Sequence, residues 1–349
     1  MSEAMKHKPR GWIEPYGCHR QMPKFLQLTS LQGWENPEGD TYWQNRRDQV
    51  VQVSEKEAQE LYQMTKEIAE EMQSKTKALT PEGFCAEPLQ SLDLCMAPGG
   101  FTWGTLNHNW RATAYGLTLP TSAGGYEVRV PLPTANVKFM DVTMLASEFG
   151  VESIPESHPD HSLFLTERPF LGKNFQLVFC GGAVIRNAER SEHRRDFERT
   201  RLTASQLILA MQQIVPGGTM VVLLRRPDVW DVLHILRQFD SFANIQLFKP
   251  HKKHAVRSTF YLVAKNVQPD AETAKAALVE WKKIWYRTTF GGDEGTGEKV
   301  SEINDQAVTT VLNEFGPRLI ELATPVWKIQ ADTEASSYIS RPMGQAMLQ

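Results

Sequence analysis

The sequence has few cysteines, no long apolar run, no excess of one charge and neither of the common glycine motifs for nucleotides. Each absence excludes a class. Cys18, Cys85, Cys95 and Cys180 are scattered through 349 residues with no Cys-x-x-Cys pair, which excludes the usual zinc framework and argues against a disulfide scaffold. No apolar stretch approaches the roughly 18 residues that span a bilayer, so no membrane association is expected. Residues 1–12 are polar and lack the apolar segment of an export signal; an intracellular setting, cytoplasmic or nuclear, is the expectation. Basic residues number 38 and acidic residues 41, a net charge of −3, which rules out a bulk nucleic-acid coat and leaves room for a local basic cleft. Gly-x-Gly-x-x-Gly is missing, and the glycine-rich stretch 292–299 has Glu298 where a P-loop needs lysine and no strand before it. The only close histidines, His251 and His254, have no acidic or cysteine neighbours in sequence, so no metal site is expected.

What is present is the composition of a globular chain, 41% hydrophobic and 23% charged. Residues 1–82 open irregularly and then carry an amphipathic helix, with Ser54 and Glu57 at capping-box spacing and Ala58, Leu61, Met64, Ile68 and Met72 on one face. Residues 83–267 alternate short apolar runs with helical patterns. Strands are predicted at 91–96, 113–117, 137–140, 176–180, 219–224, 245–248 and 259–264, and helices at 192–214 and 229–239. That alternation implies an α/β fold with a mostly parallel seven-stranded sheet covered on both faces. No helix fits between the last two strands, so that pair is predicted to be antiparallel. Residues 268–349 read as a helical extension. It holds a helix at 271–286, a glycine-rich break and a second helix with Val308, Leu312, Phe315, Leu319 and Leu322 on one face. Its polar tail after Asp332 reads as loose. Trp281, Trp285 and Tyr286 sit at helical spacing and are expected to be packing anchors.

The sharpest motif runs from Ser91 through Asp93, Cys95, Ala97, Pro98, Gly99, Gly100 and Phe101 to Thr102. An apolar strand carries an acid, ends in a Pro-Gly-Gly turn and leads into a helix. In an open α/β sheet this is where a ligand meets the carboxyl end of a strand. Glycine there lets a ligand approach the backbone, and helix N–H groups can meet a carboxylate. A plain tight turn is the alternative for the glycines, and a backbone-ordering hydrogen bond is the alternative for Asp93.

The segment DLCMAPGGFT resembles the first motif of the FtsJ-type methyltransferases, a Rossmann-like family that binds S-adenosylmethionine and includes many RNA ribose 2′-O-methyltransferases. Further segments agree in order. Ala114 to Pro120 resembles the second strand, especially of the mRNA-cap branch. Val137 to Val142 resembles the third, Phe175 to Ala183 the fourth and Pro216 to Val222 the fifth. Lys249-Pro250, Arg257-Ser258 and the strand from Phe260 resemble the family's ending. The layout, with both flanking helical zones, is similar to fungal proteins described only as FtsJ-like. The resemblance implies a Rossmann-like S-adenosylmethionine-dependent methyltransferase fold with S-adenosylhomocysteine as product. Asp93 and Ala97, Pro98, Gly99, Gly100 and Phe101 would hold the methionine part. Leu117, Thr118 and Leu119 would flank the ribose and adenine. Asp141 would accept from the adenine amino group and Val142 would offer a backbone contact, with a simple loop cap as the other reading of Asp141. The family's acid near Leu117 is absent.

The catalytic set departs from the pattern. Family 2′-O-methyltransferases use Lys-Asp-Lys-Glu around the target hydroxyl. The Asp position holds Cys180 or Gly181, the second lysine position holds Leu223 with Arg225 and Arg226 beyond, and the Glu position holds Thr259. Lys24 and Arg226 are the remaining catalytic candidates, although arginine is too basic for a general base. Two readings follow: a methyltransferase with a changed substrate, or an inactive S-adenosylmethionine-binding module serving as partner or regulator. Both suppose that ribose methylation is lost; the competing reading is that neighbouring groups such as Arg226, His234, Lys252 or His254 have taken over the catalytic role. Lys249, His251, Lys252, Lys253, His254 and Arg257 crowd one loop and Arg225 and Arg226 end a neighbouring strand, which suits RNA or another phosphate-bearing substrate; a merely solvated loop is the other reading.

Overall fold

The computed structural model describes residues 55–84, 87–131, 134–184, 191–300 and 305–339. Lys24, Cys18, Cys85 and Ser54 lie outside the described residues. Within them the chain forms β1 (Gln90–Leu94), β2 (Thr113–Thr118), β3 (Ala135–Phe139), β4 (Phe175–Cys180), β5 (Ile214–Arg225), β6 (Asn244–Phe248) and β7 (Thr259–Val267). The helices are α1 (Glu55–Thr76), α2 (Gly100–His108), α3 (Ala146–Phe149), α4 (Glu198–Gln213), α5 (Trp230–Asp240), α6 (Glu272–Phe290) and α7 (Asp305–Ile339).

The strands build one seven-stranded sheet in the order β3-β2-β1-β4-β5-β7-β6. β1 to β5 pair in parallel, while β7 runs antiparallel to both β5 and β6. The predicted antiparallel pair is therefore present. It exists because ten residues between β6 and β7 suffice for a hairpin but not for a helical crossover. The sheet order reverses at β1 and β4, which makes the carboxyl ends of those strands the crevice of the fold.

Burial follows the sequence pattern. β4 (FQLVFC) is buried at every position, as a central parallel strand covered on both faces must be. One face packs Leu92, Val178, Met220 and Leu262 against Leu207 and Ile208 of α4, Leu233 and Leu236 of α5 and Trp281 and Trp285 of α6. The other packs Leu177, Phe179, Val221 and Val263 against Ile68 and Met72 of α1 and Phe101 of α2. Trp281 donates to Gln238 Oε1 at 2.9 Å and Trp285 to Thr143 O at 3.0 Å, so these two are packing anchors with their indole N–H groups satisfied. Tyr286 is not one: it is half exposed, because one residue past Trp285 turns it off the buried face.

Several boundaries differ from the sequence expectation: β5 begins at Ile214, β7 runs to Val267 and α6 to Phe290, and two further helices differ. The 192–214 helix is a short 3-10 turn at Glu192–Arg194 followed by α4 from Glu198. The last helix continues to Ile339, past the point at which the tail was expected to loosen. Polar residues do not of themselves end a helix. Here Thr333 and Ser336 return their hydroxyls to Ile329 O and Asp332 O, so they do not compete for the chain's termination.

Candidate functional site at the carboxyl ends of the strands

The first motif folds as a strand, a turn and a helix. β1 stops at Leu94, and Cys95 takes a left-handed conformation with φ 63°. Its N–H and that of Met96 both donate to Leu117 O, at 2.7 and 3.1 Å. Thr118 Oγ1 accepts from Ala97 N at 3.3 Å. The turn is thus tied to the end of β2. Gly99 is the N-cap of α2 with φ 102°, the left-handed region that glycine enters freely. Gly100 has a different reason to be glycine: a Cβ there would overlap Thr65 Oγ1 and crowd Lys66 N of α1. Helix α1 therefore lies directly on the first turn of α2. Lys66 stacks its ammonium on the Trp103 ring, 3.9 Å from the centroid.

Asp93 is 4% exposed. Its Oδ2 accepts from Thr102 Oγ1 at 2.8 Å, and the Thr102 backbone N–H donates to it as well. Burial pushes its pKa up to about 7, against the pull of those two bonds. The carboxyl group sits behind the turn, holding the start of α2. Phe101 stacks on Phe179 of β4 at 5.3 Å and meets Tyr261 edge-on. Both contacts place its ring in the core.

At the end of β3, Asp141 caps the turn Val142–Met144. Its Oδ1 accepts from Thr143 N at 2.9 Å and Thr143 Oγ1 at 2.8 Å. Its Oδ2 stands 3.8 Å from Arg194 Nη1. The side chain keeps 30% exposure, and Oδ2 accepts no hydrogen bond from the described residues. Leu117, Thr118 and Val142 are buried beside it, and Leu119 is half-buried. The strand ends thus bring Ala97, Pro98, Gly99, Gly100, Leu117, Thr118, Leu119, Asp141 and Val142 to one crevice.

The other half of the crevice is built differently. After Cys180 the chain reads Gly181-Gly182. Gln206 of α4 holds Gly182, accepting from its N–H at 2.8 Å. A Cβ on Gly182 would come within 2.6 Å of Cys95 Sγ, whereas a Cβ on Gly181 would meet nothing within 4 Å. Space for a ligand therefore exists at Gly181. Cys180 is buried with its thiol toward Gln206 O, and burial raises its pKa well above the usual thiol value; the same holds for Cys95. Neither is a ready thiolate. Leu223 and Thr259 offer no acid or base. Arg225 and Thr259 face each other across the β5–β7 pair. Arg226 donates to Asp228 Oδ2 at 2.7 Å.

The basic loop between β6 and β7 is less free than its sequence implies. Lys249 is 2% exposed, and its ammonium binds the carbonyls of His254, Arg257 and Thr259. That lysine is a brace for the loop. Glu71 of α1 accepts from the His251 backbone and ring, and Glu67 pairs with Lys253 at 3.3 Å. Lys252, Arg257 and Arg225 remain exposed. His254 has both ring nitrogens buried without a hydrogen-bond partner, and burial with Arg257 and Lys249 nearby pushes its pKa down to about 4. His234 packs on Trp230 within α5, apart from the crevice. No group of three or more metal-binding side chains occurs among the described residues, and no helix among them is long and apolar enough to cross a membrane.

Sequence reasoning missed Thr102, Thr143, Gln206 and Arg194. Thr102 ends the first motif and Thr143 stands one residue past the third-strand segment, two residues from Asp141, where a hydroxyl close to an acid was the available signal. Gln206 and Arg194 reach the site from about 24 and 53 residues away in the chain, and nothing local marks them.

Comparison with known proteins places these observations. A family model described as FtsJ-like methyltransferase matches residues 66–267. No curated protein sequence matches the chain. Among solved structures, one provisionally described as a ribosomal RNA methyltransferase from Plasmodium falciparum is 16% identical, with 58% of this chain and 96% of that one covered and a TM-score of 0.38. Human methyltransferase-like protein 13 in complex with S-adenosylhomocysteine is 14% identical, with 70% and 98% covered and a TM-score of 0.37.

Proposed function

The chain belongs to the FtsJ-like methyltransferase family, and from that premise we propose that it binds S-adenosylmethionine at the ends of β1, β2 and β3 and methylates an RNA or another phosphate-bearing substrate without the Lys-Asp-Lys-Glu set. One observation carries the cofactor half. Asp141 is capped on one oxygen and accepts no hydrogen bond from the described residues on the other, beside buried Leu117 and Val142, which suits an adenine amino group. The Pro-Gly-Gly turn and the N-terminus of α2 would take the methionine part. Asp93 acts one step back, fixing that turn through Thr102. The open side of Gly181 fits a ligand passing between β1 and β4.

The cofactor, when bound, supplies a sulfonium methyl group that is already electrophilic. This chain's residues would hold the acceptor in line, a contribution that can account for much of the rate. Among the described residues at the ends of β4 and β5 no group is suited to deprotonate a ribose hydroxyl: Cys180 is buried, Arg226 is paired with Asp228, and arginine is too basic. An acceptor that needs little base assistance, such as an amine, fits this arrangement better. Exposed Arg225, Lys252 and Arg257 would meet phosphate.

The same vacancies favour a second reading, an S-adenosylmethionine-binding module that transfers nothing and serves a partner. Calorimetry with S-adenosylmethionine tests both together, since failure to bind at millimolar ligand sinks both. Transfer of labelled methyl into total RNA, protein or small-molecule extract then separates them.

A further inference from the structure

Around the outer oxygen of Asp141 lies a buried charged network that the motifs do not contain. Asp160 is 2% exposed. Its Oδ2 accepts from Arg194 Nε at 2.6 Å and contacts His193 Nε2 at 2.8 Å, and Ser191 Oγ approaches its other oxygen at 3.5 Å. Its backbone N–H donates to His158 Nδ1 at 3.1 Å. That bond makes Nδ1 an acceptor, so the neutral His158 ring donates from Nε2 to Thr289 O at 3.1 Å. The 191–194 segment is therefore pinned onto 158–160 and the end of α6. An uncompensated buried carboxylate is costly, and the Arg194 guanidinium at Asp160 removes that cost, which fixes where the rest of Arg194 points.

One edge of Arg194 is thus committed: Nε to Asp160, and Nη2 toward Met144 Sδ at 3.9 Å. Nη1 is not. It stands 3.8 Å from Asp141 Oδ2, beyond direct hydrogen-bond reach and close enough for both atoms to serve neighbouring atoms of one ring. A buried ion pair present only for stability would be expected to close this gap, as Arg194 closes it with Asp160. An acceptor beside a donor is the complement of adenine, whose amino donor is flanked by ring-nitrogen acceptors. A 6-oxopurine presents an acceptor where the amino group was, opposite Asp141.

We propose that Arg194, aimed by Asp160, is the second half of the adenine subsite and sets the choice of base together with Asp141. This rests on the cofactor reading above. Arg194 gives its Nη1 proton to a ring nitrogen while Asp141 accepts from the amino group. Arg194 is a specificity-determining residue, and Asp160 is a positioning residue.

The test is calorimetry of the full chain with S-adenosylhomocysteine, its inosine-base analogue and its 1-deaza and 7-deaza adenine analogues. The wild type should prefer the adenine form over the inosine form by about tenfold or more, and one deaza analogue should bind about tenfold more weakly. Arg194→Met should abolish the deaza penalty and keep the cooperative melting transition. Arg194→Lys, which keeps charge without the fork, should recover part of it. Asp160→Asn should lower the penalty without contacting the ligand. Equal binding of both deaza analogues to the wild type overturns the proposal without any variant having to fold. So does an unchanged deaza penalty in Arg194→Met. In both cases S-adenosylhomocysteine still binds and the cofactor reading stands. No binding of S-adenosylhomocysteine to the wild type overturns the cofactor reading and this inference with it.

Discussion

At the ends of β1, β2 and β3 the polar groups are held by other groups of the chain. Asp93 is held by Thr102, Asp141 by Thr143, Ala97 N by Thr118, and Asp141 faces Arg194. At the ends of β4, β5 and β7 the chain presents two glycines, a buried thiol, Leu223, Thr259 and arginines at or near the surface. Both regions line one crevice of one sheet. In the first, contacts within the chain orient the polar groups in advance, as the proposed receptor requires. The second provides room and positive charge but, among the described residues, no acid or base poised for proton transfer. Under the proposed function, binding and chemistry are therefore separable.

Several substitutions would break or sharpen this contrast. The largest effect is expected from Asp93→Ala, which strands the Thr102 hydroxyl and N–H in the core; a loss of about 2–4 kcal/mol in denaturant unfolding is expected. Gly100→Ala should follow, at about 1–3 kcal/mol, because the new methyl meets α1 at Thr65 and Lys66. A fully stable Gly100→Ala would show that α1 does not sit on the turn. Asp141→Ala should cost only about 1 kcal/mol of stability through the lost cap while strongly weakening S-adenosylhomocysteine binding, which separates its two roles. In the other half, Cys180→Ser should leave cofactor binding unchanged. Neutralising Lys252, Lys253 and Arg257 together should weaken RNA binding in a filter titration and flatten its salt dependence. The change should be smaller than a count of the three charges suggests, since Lys253 already pairs with Glu67.

Acidity offers a further handle. Asp93 binds a proton more tightly folded, at about 7, than its ordinary value of 3.8. Its contribution is therefore present below pH 4 and lost as pH rises toward 7. His254 runs the opposite way: held near 4 when folded against 6.5, it contributes stability above pH 6.5 that is lost as pH falls toward 4. Asp93→Asn should remove the first slope and leave the second, as followed by unfolding free energy between pH 4 and 7.

How legible this was in the sequence depended on range. All seven strands and the antiparallel last pair could be read, because period and run length are local properties. The β1 motif could be read for the same reason, whereas Asp141 was singled out only by the resemblance of Val137 to Val142 to the family's third strand. The neutralisation of the basic loop by Glu67 and Glu71 could not, since it joins residues about 180 apart through the packing of α1. Nor could the reach of Arg194 to Asp141, which depends on how Asp160 is buried. Lys249, counted in sequence with the surface charges, is a buried brace because three carbonyls converge on it. Charge counts along a chain do not show which charges are already spent.

The central claim is that the β1–β3 half is a working receptor for S-adenosylmethionine. Titration of the full chain with S-adenosylhomocysteine, beside Asp141→Ala, tests it most directly. The account predicts saturable one-to-one binding that the substitution weakens by about tenfold or more, as expected for loss of a hydrogen-bond acceptor to a buried base. Absence of binding at millimolar ligand, or equal affinity in both proteins, would contradict it.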